Sequence, residues 1–92
     1  MKTAFIMSRT DIGLQLHYQL VYETTSREVF KTGRAKRMMK QMFTEEERII
    51  IHDTIIPKAK RWATKGVPEN DITITTREFN VWKAFERFCA IL

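Results

Sequence analysis

Leu14-Gln15-Leu16-His17-Tyr18-Gln19-Leu20-Val21-Tyr22-Glu23 is the stretch on which the fold turns. Leu14, Leu16, Tyr18, Leu20 and Tyr22 fall on one side of an extended chain, and Gln15, His17, Gln19 and Glu23 on the other; Val21 is the one apolar exception. Successive side chains of a strand point to opposite faces, so this period of two predicts a half-buried strand. Upstream, residues 3–9 begin with the apolar cluster Ala4-Phe5-Ile6-Met7 and read as a short strand, with Asp11-Ile12-Gly13 as the turn between them. Downstream, Thr24-Thr25-Ser26 reads as a polar turn into a third, shorter strand over 27–32 that carries Val29 and Phe30. The fold class this predicts is α+β: a three-stranded antiparallel meander followed by two to three helices packed on one face.

Gly33 closes the meander, and the next segment changes period. At about 100° per residue, Ala35, Met38, Met39, Met42 and Phe43 gather on one side, and Arg34, Lys36, Arg37, Lys40 and Gln41 on the other. Thr44-Glu45-Glu46-Glu47 has the form of a capping box, and its acids suit the positive end of a helix dipole, so a second helix begins there. Its stripe Ile51, Ile55, Ala59, Trp62 runs across Pro57, which lacks the N–H that would bond the Asp53 carbonyl; a kink or break is expected. Gly66 and then Pro68 mark its end. Residues 67–76 read as a loop with a short extended piece at 72–75. Thr75 and Glu78 form a second capping box, opening a last helix whose Phe79, Val81, Trp82, Phe85, Phe88 and Cys89 fill the core.

Ninety-two residues make one domain, 1–92, with room for a small core. The 43% hydrophobic and 29% charged shares fit a folded chain. A formal charge of +5 favours anionic partners: nucleic acid, an acidic protein face or a membrane surface. The lone Cys89 allows no internal disulfide, which fits a reducing cytosol, and its apolar surroundings read as core. The apolar run at 4–7 is too short for a signal peptide, and no stretch approaches the roughly 20 apolar residues of a membrane span. The expectation is a soluble cytoplasmic protein.

Two rows of cations stand out. Arg34, Lys36, Arg37 and Lys40 carry one; Lys58, Arg61 and Lys65, spaced i, i+3, i+7, carry the other. Amphipathic helices commonly show solvated charged faces of this kind. Two rows without interleaved acids instead favour a polyanion, each cation displacing a counterion from a phosphate. The planar forks of Arg34, Arg37 and Arg61 suit phosphate and carboxylate alike, so charge by itself leaves RNA, DNA and an acidic protein groove open. The other constellations are weak. His52-Asp53 resembles part of a metal site, but His17 is the only other histidine, so no metal and no cofactor is expected. Ser8 and Ser26 have no nucleophile-elbow context, and three glycines make no phosphate loop. Residues 34–65 lack the short Gly turn of a helix-turn-helix. The chain reads as a binder rather than an enzyme.

The whole chain resembles small phage-encoded anti-CRISPR proteins of the group that inhibits type I-F surveillance complexes. The resemblance lies in the total length, the opening Met1-Lys2-Thr3-Ala4-Phe5-Ile6-Met7, the strand-then-helix order and the basic segment Arg34–Lys40. It implies a non-enzymatic inhibitor that binds Cas subunits of a crRNA-guided complex in the host cytoplasm and blocks target DNA binding. It assigns no residue roles; contact of the basic faces with crRNA phosphates or acidic Cas surfaces follows from charge. The alternative is a small nucleic-acid-binding regulatory protein. Neither reading calls for a membrane or a small molecule.

Overall fold

The computed structural model describes residues 4–7, 16–68 and 72–92. The expected Asp11–Gly13 turn and the stretch 69–71 of the expected loop lie outside them. The chain is largely helical: β1 (Ala4–Met7), α1 (Tyr18–Ser26), a 3-10 turn (Glu28–Lys31), α2 (Gly33–Met42), α3 (Glu45–Ile50), a π-helical segment (Ile51–Ile55), α4 (Ile56–Lys65), β2 (Ile72–Thr75) and α5 (Thr76–Ile91).

The three-stranded meander is therefore overturned. The stretch expected to be its central strand is helix from Tyr18, Thr24–Ser26 is the last turn of that helix, and the third strand is a 3-10 turn. Extended structure among the described residues is one antiparallel pair of four-residue strands, β1 on β2, with Ala4 opposite Thr75 and Met7 opposite Ile72. The physical reason lies in a second pattern within the same residues. Tyr18, Val21, Tyr22 and Thr25 are spaced i, i+3, i+4, i+7, and all are buried or half-buried. Val21, the exception in the alternation, is fully buried. Bonds at both ends accompany the helix, the second of them, four residues back, one that an extended chain would not make. The His17 N–H donates to Glu86 Oε1 at 3.1 Å, 69 positions away, and the Thr25 hydroxyl donates to the Val21 carbonyl at 2.7 Å.

The later helices follow their local signals. Thr32 caps α2, its hydroxyl accepting from the Ala35 N–H. The Thr44–Glu47 capping box is complete, with Thr44 N–H to Glu47 Oε1 at 2.8 Å and Glu47 N–H to Thr44 Oγ1 at 3.2 Å. Pro57 does not break the helical run. The turn before it widens into the π segment, where the Ile56 N–H donates to the Ile51 carbonyl five residues back, and Pro57 sits in the first turn of α4. A wider turn loosens the crowding of a proline ring against the carbonyl four residues earlier. The apolar stripe consequently stays in phase: Ile51, Ile55, Ala59 and Trp62 are all buried. Gly66 ends α4 at φ 90, a left-handed region that a side chain would disfavour.

The core is built around α5. Trp82, Phe85 and Phe88 are completely buried. Trp82 stacks on Trp62 (5.3 Å between centroids, 20°), and Tyr18 meets Trp62 edge-on. Phe85 stacks on Phe88 at 5.8 Å, while Phe43 and Phe30 pack edge-to-face on Phe85. Aromatic pairs of this kind add roughly 0.5–1.5 kcal/mol each to the burial itself. The first cluster anchors α4 and α1, and the second anchors α2 and the 3-10 turn.

Candidate nucleic-acid interface

On α2 the buried side is Ala35, Met39 and, at the cap, Phe43. Met38 is half-buried and Met42 is exposed, so the methionine face is narrower than the sequence suggests. Arg34, Lys36, Arg37 and Lys40 are all exposed. None forms an ion pair among the described residues. The acids that flank α2 in sequence and have a partner meet other groups: Glu28 meets Lys31, Glu46 meets Arg77 and Glu47 meets the Thr44 cap. The α2 face therefore carries uncompensated positive charge.

The second row differs. Lys58 Nζ lies 2.7 Å from Glu78 Oε2, with both side chains largely buried, and 5.9 Å from the centre of the Trp62 ring. The expected Thr75–Glu78 capping box is therefore only half formed: the Glu78 N–H donates to Thr75 Oγ1 at 3.0 Å, but the Glu78 carboxylate turns to Lys58. Lys58 is thus a structural pin between α4 and α5 and drops out of the row. Arg61 and Lys65 remain exposed. The two rows also sit on separately seated helices: α2 rests on the 3-10 turn and α3, whereas α4 rests on α1.

What the structure adds to α2 is a concavity. A pocket of about 330 Å³ is lined by Phe30, Lys36, Met39, Lys40, Arg48 and His52. Lys36 and Lys40 are one turn apart on α2; Arg48 and His52 are one turn apart on α3 and the π segment. No acidic residue lines it among those described. Arg48 is held in place by the bond from its Nη1 to the Phe43 carbonyl at 2.7 Å. Arg48 and His52 belong to neither basic row that the sequence shows. Their i, i+4 spacing was the available signal, but docking of α3 against α2 gives it meaning.

Comparison with protein-family models, curated proteins and solved structures finds no match.

Other reactive groups are placed structurally. Cys89 is buried, and burial pushes its thiol from 9.0 up to about 12, with the Glu86 charge adding and a Thr24 hydrogen bond opposing. His17 leads into α1 and pairs with the buried Glu86. No group of three or more His, Cys, Asp or Glu is arranged to hold a metal among the described residues. No helix among them is long and apolar enough to cross a membrane.

Proposed function

We propose that this chain is a non-enzymatic binding protein that docks through its α2 face on nucleic-acid phosphate. The target class is a crRNA-guided type I-F surveillance complex in the host cytoplasm, whose access to target DNA it blocks. The observation that carries the binding part is the set Arg34, Lys36, Arg37 and Lys40: exposed on one helix and unpaired among the described residues. Such a face gains by releasing counterions from a phosphate backbone. Arg34 and Arg37 add forks suited to bidentate phosphate contact. Burial keeps the lone thiol, Cys89, protonated, which speaks against a thiolate nucleophile.

The target class comes from the resemblance. Its support now rests on residues 1–7 and the basic segment, because the meander behind the strand-then-helix order is replaced by helices.

The test is a pull-down with the tagged protein from a lysate containing a type I-F complex, with and without nuclease treatment. The expected result is a stable ribonucleoprotein whose Cas subunits and protected crRNA survive nuclease. Recovery of mixed nucleic acid that nuclease abolishes makes the chain a regulator acting on free nucleic acid. Recovery of neither contradicts the α2 reading.

A further inference from the structure

We infer that the pocket between α2 and α3 is a site for a terminal phosphomonoester, with the attached nucleobase seated against Phe30 and His52. The inference rests on the reading of α2 as a phosphate-binding face and specifies its ligand.

Three features distinguish the pocket from a row of surface cations. Its charges come from two elements, Lys36 and Lys40 from α2 and Arg48 from α3, and all three line one pocket. Its best donor is fixed beforehand. One Arg48 nitrogen is spent on the Phe43 carbonyl, and the rest of the guanidinium fork keeps donors for a ligand. Its floor is apolar: Met39 is buried, and Phe30 is half-buried with its ring against Phe85 on one side and 6.5 Å from the His52 ring on the other.

These features select the end of a chain over its middle. A phosphodiester carries one charge and has chain leaving on both sides, which suits an open groove. A monoester carries about −1.5 to −2 at neutral pH and three strong acceptor oxygens, which suits a pocket lined by three cations. About 330 Å³ lies at the small end of the range for small-molecule sites, room for about one nucleotide. Phe30 and His52 offer ring surface of the kind on which bases stack. The shared chemistry, a base bearing a terminal phosphate, is found in a free nucleotide and in a 5′-phosphorylated nucleic-acid end.

The test compares two 3′-labelled RNA octamers of one sequence, one with a 5′-phosphate and one with a 5′-hydroxyl, by fluorescence anisotropy on the intact chain. AMP is titrated separately by amide NMR. The 5′-phosphorylated RNA is expected to bind roughly tenfold more tightly, an advantage that Arg48→Gln and Lys36→Gln each reduce to less than about twofold. Because Arg48 also bonds the Phe43 carbonyl, the exposed Lys36→Gln serves as the variant that leaves folding untouched. Equal binding of the two RNAs with saturable AMP shifts at Lys36, Lys40, Arg48 and His52 keeps the site and assigns it to free nucleotide. Equal binding with no AMP response overturns the inference while leaving the α2 reading standing. Failure of both RNAs and of AMP overturns both.

Discussion

Helices α2 and α4 look alike in sequence and do different work. Each is ten residues long, carries cations three apart, and sets an alanine and a bulky side chain, Ala35 with Met39 and Ala59 with Trp62, toward the core. On α2 every cation of the row is exposed and unpaired among the described residues. On α4 the first member of the row, Lys58, turns to Glu78, twenty residues further on, and becomes part of the framework. The role of a basic row is thus decided by whether a carboxylate arrives from another element, which spacing along one helix does not report. The underside differs too: α4 lies on the Trp62–Trp82 stack, while Phe43 at the α2 cap packs on Phe85 and Phe88.

The largest expected effect is on the aromatic support beneath these two helices. Trp82→Ala and Phe85→Ala should each lower stability by roughly 3–5 kcal/mol in urea unfolding, the first loosening α4 and the second α2. Normal stability in either variant would show that its ring is not core. Trp82 carries the one buried side-chain N–H without a partner among the described residues. Trp82→Phe removes that orphan donor along with some volume, so it should cost well under half of what Trp82→Ala costs.

Next in size is the contrast between the rows themselves. Lys58→Ala leaves the largely buried Glu78 carboxylate unpaired and should destabilise by about 2 kcal/mol, between the values for exposed and fully buried pairs. Arg34→Ala, on an exposed and unpaired site, should stay within about 0.5 kcal/mol. Equal losses would erase the distinction drawn between the helices.

Smallest in its effect at neutral pH, and visible only in alkali, is the titration of Cys89. Its folded value is raised from 9.0 to about 12, so the neutral thiol is favoured in the folded state. That contribution is whole below about pH 9. It declines as pH rises toward 12, because the unfolded chain ionises first and then binds fewer protons than the folded one. Urea midpoints from pH 8 to 11 should fall less steeply in Cys89→Ala than in the unaltered chain. At pH 8, iodoacetamide should modify Cys89 only after unfolding.

Much of the helical half was legible because its signals are local. The cap at Thr44–Glu47, the turn at Gly66 and the apolar face of α5 each lie within a few residues of what they determine. Helix α1 was not legible in the same way. Its residues satisfy a period of two and a helical stripe at once, and Glu86, far along the chain, holds His17, the residue that leads into it. The exposed cations of α2 could be read from the helical wheel. The withdrawal of Lys58 could not, and the pocket required two helices, each with an i, i+4 pair, to be docked before Arg48 and His52 met Lys36 and Lys40.

The central claim is that the α2 row binds phosphate and the α4 row does not. Its most direct test is the affinity for single-stranded RNA of two charge-reversed proteins, Arg34→Glu/Arg37→Glu/Lys40→Glu and Arg61→Glu/Lys65→Glu, at two salt concentrations, with folding checked by circular dichroism. The α2 variant is expected to lose roughly tenfold or more in affinity with a shallower salt dependence, and the α4 variant less than about twofold. Unchanged affinity in the α2 variant, or an equal loss in both, would contradict it.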